Sequence, residues 1–207
     1  MAKYLGARTK FFDHVVINAI NRRTAQVVIA GAGYDGRSLR FATPGVNWFE
    51  VDQLATQSDK RERLGRLGIT TPNTHFVAAD FRFDDVSKEL LENNFVSTLP
   101  TLFICEGVTV YLEMVVLERL LENLRMVAAP GSELSISFSV EAVTSRRQRK
   151  FDRRVGELGE PALNHLSVAE SEHLLEGAGW RLKREFSEGG CFARARRAGF
   201  IVATTDS

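Results

Sequence analysis

Five short apolar runs, separated by stretches with helical periodicity, restrict this chain to a small set of folds. The runs are Gln26 to Ala30 (QVVIA), Asn47 to Val51 (NWFEV), His75 to Ala79 (HFVAA), Leu102 to Cys105 extended from Thr101, and Leu134 to Phe138 (LSISF). Each is short, mostly apolar and bounded by turn residues, as strands buried on both faces are. Helical patterns lie between and around them, over Phe11 to Asn21, Leu54 to Leu67 (stopped at Gly68), Val86 to Asn93 and Glu113 to Val127 (stopped by Pro130-Gly131). Ser167-Val168-Ala169-Glu170 has the form of a capping box and starts a helix reaching to about Glu176. Strict alternation of this kind predicts a doubly wound α/β fold, with a mostly parallel sheet covered by helices on both faces. At the end of the chain, Trp180 to Phe186 and Phe200 to Thr204 are strand-like with no helix between them, so they are expected to pair antiparallel at the sheet edge. A length of 207 residues and 44% apolar side chains suit one domain spanning 1–207 with a full core.

Several function classes are disfavoured early. The formal net charge is +1, which gives no reason to expect nucleic-acid binding. No run is long enough to span a bilayer and no signal peptide is evident, so a soluble cytoplasmic protein is expected. The two cysteines, Cys105 and Cys191, have no metal-binding spacing and no disulfide framework to belong to. The basic stretch from Val143 to Arg154 reads as a solvated helix face, with a lid or substrate wall over 141–166 as the sharper reading.

The informative chemistry sits after the strands. Gly31-Ala32-Gly33-Tyr34-Asp35-Gly36 follows the first strand, and Asp52, with Gln53 beside it, ends the second about 20 residues on. Glycines allow a nucleoside ligand close to the backbone, and an acid in that register binds ribose hydroxyls. The pair indicates an adenosine-containing cofactor. A dinucleotide would put its pyrophosphate beside Asp35, where two negative charges repel. S-adenosyl-L-methionine carries no phosphate, and its charged amino acid end and sulfonium tolerate acids. Asp80 follows the third strand, where its carboxylate can accept from an adenine amino group while Phe81 lies against the ring. The bland reading has Asp80 capping a turn and Phe81 in the core. Glu106 follows the fourth strand, near the middle of the sheet. A buried glutamate needs a partner, and a bound ammonium would supply one. The bland alternative is a cap for the next helix.

Four stretches together resemble the leucine carboxyl methyltransferase family and its bacterial O-methyltransferase branch. They are Ala7 to Asp13 (ARTKFFD), Val28 to Arg37 (VIAGAGYDGR), Phe49 to Asp52 (FEVD) and Pro100 to Leu112 (PTLFICEGVTVYL); Gly159-Glu160-Pro161 resembles a late motif of the same family. The resemblance implies a Rossmann-like class I methyltransferase, a seven-stranded sheet with an antiparallel last strand, and S-adenosyl-L-methionine as cofactor. It further implies that Arg8 binds the donor's carboxylate, that Gly31, Ala32 and Gly33 line its methionine portion, and that Asp52 binds ribose. Asp80 and Phe81 would contact adenine, Glu106 the amino acid end, and Arg82 and Tyr111 the acceptor carboxylate. Eukaryotic members carry a longer N-terminal region that shapes the acceptor site. Only six residues precede Ala7 here, so a small natural-product acid or phenol stands ahead of a peptide C-terminus as acceptor.

A carboxylate acceptor is ionised at neutral pH and needs no general base. A hydroxyl would need one, and none of His14, His75, His165 and His173 is singled out by a motif. A nicotinamide oxidoreductase and a non-catalytic ligand-binding scaffold are the competing classes; monomer and homodimer are both compatible with the sequence.

Overall fold

In the computed structural model, residues 2–139, 163–183, 195–196 and 198–206 are described. The expected basic helix at 143–154, most of 141–166, Gly159 to Pro161 and Cys191 lie outside them. The elements in chain order are α1 (Ala2–Asn21), β1 (Gln26–Ala30), α2 (Arg37–Arg40), β2 (Asn47–Asp52), α3 (Leu54–Arg66), β3 (Thr74–Ala78), α4 (Val86–Glu92) and β4 (Thr101–Cys105). A 3-10 turn (Thr109–Tyr111) follows, then α5 (Met114–Met126), β5 (Glu133–Ser137), α6 (Val168–Gly177), β6 (Arg181–Leu182) and β7 (Phe200–Thr204).

The strands form one seven-stranded sheet in the order β3-β2-β1-β4-β5-β7-β6. The pairs from β3 to β5 are parallel, whereas β7 runs antiparallel to both β5 and β6. The antiparallel edge pair expected from the sequence is therefore present, as Arg181–Leu182 against Ala203–Thr204. Alternate residues of each buried run feed opposite faces. Val27, Ile29, Trp48, Leu102 and Ile104 meet Phe12, Val16 and Ala19 of α1 in one core. Val28, Ala30, Phe49, Phe103 and Cys105 meet Leu90 of α4, Leu117, Leu120, Leu121 and Leu124 of α5 and Leu175 of α6 in the other. Burial pushes the Cys105 thiol up to about 12, so it stays protonated and behaves as a small apolar side chain.

Most helix and strand ends shift by one residue from the sequence reading, β6 is confined to Arg181–Leu182, and the largest shift is at the start of α1. Helix α1 begins at Ala2 rather than Phe11 because its first turns carry no apolar stripe to announce them, and Leu5 is exposed. Strands β3 and β5 each start one residue early, where Thr74 and Glu133 pair with Trp48 and Leu102. The Ser167 capping box forms in full: its side chain accepts from the Glu170 amide, and Glu170 accepts from the Ser167 amide.

Order reverses between β1 and β4. Chain leaving β1 crosses to β2 on one side, while β4 adds on the other. Open α/β sheets bind ligands outside the carboxyl ends of strands at such a switch point. Here the loops after β1 and β4 lie side by side.

Candidate active site

The glycine loop is fastened to β2 before it meets anything else. The amides of Gly31 and Ala32 both donate to the Val51 carbonyl, at 2.9 and 3.1 Å. Gly33 donates to Asp52 Oδ2 at 2.7 Å, and Gln53 donates its backbone N–H to Asp52 Oδ1 at 2.8 Å. The acid that ends β2 thus holds the loop in shape and keeps lone pairs for a ligand. Gly31 and Gly33 have φ of +73° and +47°. A Cβ on Gly31 would stand 2.6 Å from Val108 Cγ2, so only glycine lets the loop approach β4's extension.

That extension, Glu106 to Leu112, is built by its own sequence. Gly107 takes φ +71° and donates to Ser137 Oγ at 2.8 Å. Thr109 Oγ1 donates to the Ser137 carbonyl at 2.7 Å, and the Tyr111 amide closes the 3-10 turn on Val108. Glycine at 107 also makes room for the Arg8 guanidinium, whose nitrogens would lie 3.3 Å from a Cβ there.

Two hollows flank this contact. The larger, about 710 Å³, is bounded by Asp52, Gln53, Asp80, Phe81, Arg82 and Tyr111, with Val108, Leu112, Val116 and Leu163 as apolar wall. The smaller, about 290 Å³, is bounded by Arg8, Ala32, Asp35, Arg37, Arg40 and Glu106. Gly31 lines both. The structure therefore gathers ten of the eleven sequence-predicted residues around the two hollows. It divides them, placing Arg8, Ala32 and Glu106 on one side and the adenosine and acceptor candidates on the other. Gly33 lines neither and acts through Asp52.

Electrostatics differ from the sequence reading in the smaller hollow. Glu106 does not wait for a bound cation, because Arg8 Nε lies 2.8 Å from Oε1 and Arg37 Nη2 lies 2.7 Å from Oε2. The Arg37 approach is off-axis, so it is coulombic only, and buried Oε2 accepts no hydrogen bond. Glu106 is no helix cap either; α5 starts at Met114, and its N-cap residue, Glu113, makes no side-chain cap. Arg37, with its side chain 4% exposed, also pairs with Asp13 and Asp35, and Arg40 pairs with Asp13. Three guanidiniums thus face three carboxylates. Burial alone would raise the Asp13 carboxyl, but hydrogen bonds from Arg40 and Arg37 outweigh it and hold the group below its usual value. Asp13 and Arg37 were not singled out in the sequence, and Asp35 only as a charge unfavourable to a pyrophosphate, not as a partner of Arg37. Their one available signal was that two family-like stretches, ARTKFFD and GYDGR, each carry both charges.

In the larger cavity Asp80 fulfils its bland role as well. Its carbonyl accepts from Phe83 and Asp84, and its side chain accepts from the Arg82 amide, so it builds the turn after β3. The Arg82 side chain closes on the same carboxylate, which lowers the Asp80 pKa through that hydrogen bond. Phe81 is partly buried against the second core. Leu163 reaches the cavity because its amide donates to the Val110 carbonyl at 2.7 Å and Asn164 donates to Leu112. Among the described residues no cluster of His, Cys, Asp and Glu could hold a metal.

The family profile for leucine carboxyl methyltransferase matches residues 1–125. The chain belongs to the leucine carboxyl methyltransferase family. It is 34% identical over 194 residues to a protein of Mycolicibacterium paratuberculosis assigned by name to the S-adenosyl-L-methionine-dependent methyltransferases, covering 86% of this chain and 61% of that protein. A similarly named Mycobacterium avium protein is 34% identical over 196 residues, 88% of this chain and 62% of its own length. The chain therefore spans somewhat over three fifths of the curated relatives it matches. Among solved structures, one assigned as a methyltransferase from Thermobifida fusca superposes with a TM-score of 0.72 at 17% identity, covering 99% of this chain and 82% of that one. The mitomycin 7-O-methyltransferase MmcR gives 0.58 at 19% identity, covering 87% and 48%. These two share the fold of this family member. S-adenosyl-L-methionine, the cofactor expected from sequence, is the one in the names of the curated relatives. Among the described residues, no helix is long and apolar enough to cross a membrane.

Proposed function

We propose that this chain is an S-adenosyl-L-methionine-dependent O-methyltransferase acting on the carboxylate of a small molecule. The observation that carries the reading is the pair of hollows meeting at Gly31. Adenosine fits the larger, against Asp52 and Asp80, and the amino acid end fits the smaller. Two features of the residues match that donor. The Arg8–Arg37–Glu106 cluster balances cations with anions, as suits a zwitterion, and Glu106 Oε2, although paired by charge with Arg37 at 2.7 Å, accepts no hydrogen bond among the described residues and can add one from an ammonium. A dinucleotide suits the site poorly. Helix α2 is only four residues long, and Asp35 stands just before it.

When bound, the donor supplies a methyl group already activated by its sulfonium. This chain's share is alignment and exclusion of water. Gly31, in contact with Val108, lines both hollows and would sit beside the donor's sulfonium when the donor spans them. Arg82 holds an acceptor carboxylate by a charge-assisted pair, Tyr111 donates a second bond, and the apolar wall from Leu112 to Leu163 takes the acceptor's body.

The test is transfer of labelled methyl from S-adenosyl-L-methionine to a panel of apolar carboxylic acids, with mild alkali applied to the product. An alkali-labile methyl ester supports the reading. An alkali-stable ether points to a hydroxyl acceptor, and heat protection by NAD but not by S-adenosyl-L-methionine defeats both. The hydroxyl reading has one observation in its favour. His165 Nδ1 lies 3.0 Å from Ser139 Oγ and follows Leu163 of the cavity wall by two residues in sequence, which makes it the histidine to test as a base.

A further inference from the structure

Asp80 has no acceptor capacity to spare. Its Oδ1 accepts from the Arg82 amide and from Arg82 Nε, each at 3.0 Å. Its Oδ2 accepts from Arg82 Nη2 at 2.6 Å and from Gln53 Nε2 at 3.4 Å. A carboxylate offers about four lone-pair sites, and all four are in use. An adenine amino group that donates to Asp80 must displace one of these donors. The Arg82 amide is part of the turn and stays. The Gln53 contact is long and shields little. The Arg82 guanidinium covers both oxygens, yet its side chain is 59% exposed and lines the cavity on the acceptor side. It is the donor with somewhere else to go.

We propose that Asp80 and Arg82 form an exchange pair that couples the two halves of the site. In the free protein Arg82 caps Asp80. An acceptor carboxylate draws the guanidinium away, and Asp80 is released to adenine. Donor and acceptor then strengthen each other's binding by the same factor, because coupling between two sites is reciprocal. The device also favours the complete ternary complex over either half-filled site. The inference rests on the donor placement proposed above. It adds that Arg82, assigned to the acceptor alone by sequence resemblance, acts on donor affinity through Asp80. An exposed ion pair is a weak competitor, so the effect is about two- to fivefold in donor affinity and shrinks in high salt.

The experiment is calorimetric titration with S-adenosylhomocysteine of the unmutated protein, Arg82→Ala, Asp80→Asn and the double variant. Both residues lie on an exposed turn, and thermal unfolding checks that each variant is folded. Arg82→Ala is expected to bind about two- to fivefold more tightly than the unmutated protein at low salt. Asp80→Asn is expected to bind more weakly, and removing Arg82 from it is expected to change nothing further, because Arg82 acts only through that carboxylate. The exchange is overturned if Arg82→Ala binds no tighter, if the gain persists in the Asp80→Asn background, or if Gln53→Ala gives the gain instead. Failure of the unmutated protein to bind S-adenosylhomocysteine at all would defeat the donor placement itself, and the exchange with it.

Discussion

Gly31 and Val108 touch across the switch point of the sheet, closely enough that a Cβ on the glycine would lie 2.6 Å from Val108 Cγ2. Gly31 lines both hollows, and Val108 lines the larger. The contact also combines two costs for any substitution, since Gly31 has φ +73°, where side chains are disfavoured. Gly31→Ala is expected to lose about 1–3 kcal/mol of stability in urea denaturation. Adding Val108→Ala is expected to return part of the loss, the part due to collision, and leave the part due to backbone. A single variant as stable as the unmutated protein would mean that the loop is free to move aside.

Asp52 holds the glycine loop and is proposed to bind ribose, and substitution can separate the two. Its Oδ2 accepts from Gly33 at 2.7 Å, and the remaining lone pairs face the cavity that suits ribose. Asp52→Asn keeps a carbonyl oxygen for the Gly33 amide but loses the charge. Hydrogen bonds to charged groups contribute about 1.5–3 kcal/mol, so S-adenosylhomocysteine affinity is expected to fall about tenfold or more with Asn and with Ala alike. Thermal stability is expected to fall mainly with Ala. An unchanged dissociation constant in both variants would remove Asp52 from the ribose site.

The sheet was legible because its strands are buried on both faces, which leaves an apolar run bounded by turn residues; β1 and β4 match their expected bounds to the residue. The glycine loop and Asp52 were legible for a similar reason, since their relation depends on local register between neighbouring strands. The first nine residues of α1 were not, because that part of the helix has no apolar stripe, and it is linked to the rest of the fold by the Arg8–Glu106 pair. Nor was the network around Arg37. Its partners come from α1, the glycine loop and the tip of β4, and no short-range pattern joins positions as far apart as Arg8 and Glu106. Sequence resemblance assigned Arg8, Glu106 and Arg82 to ligand atoms. The structure shows each of them already engaged with a protein charge.

Arg37 is the residue whose loss should be felt most outside the ligand contacts. It is nearly fully buried, and its removal leaves Asp13, Asp35 and Glu106 facing one another with one less cation among them. Breaking a buried pair from one side costs about 3–5 kcal/mol, far more than an exposed pair contributes. Arg37→Ala is expected to show a loss of that order in equilibrium denaturation at neutral pH. Arg63→Ala, which removes an exposed helix pair with Asp59, is expected to lose far less, because solvent screens that pair. Similar losses in the two variants would show that the Arg37 network adds no more than surface pairing.

The same network predicts how acid weakens the fold. Burial acts to raise the Asp13 carboxyl, but hydrogen bonds from Arg40 and Arg37 outweigh it, and in the folded protein the group titrates below the ordinary value of 3.8. A carboxylate depressed on folding contributes stability that is present above its unfolded pKa and is lost as pH falls through the folded one. Asp13→Asn abolishes that contribution at every pH. The stability gap between the unmutated protein and Asp13→Asn is therefore expected to be widest near neutrality and to close as the pH drops below 3.8. Glu50 works in the opposite sense, because burial raises its carboxyl above 4.5 despite the nearby Lys60 ammonium. Its contribution is present below the unfolded value and is lost as pH rises through the folded one, so it cannot produce a gap that closes on acidification. Urea midpoints for the two proteins between about pH 3 and about pH 7 make the comparison. A gap that stays constant over that range would show that Asp13 acts through shape alone, and that its pairing with Arg37 and Arg40 adds no net electrostatic stability.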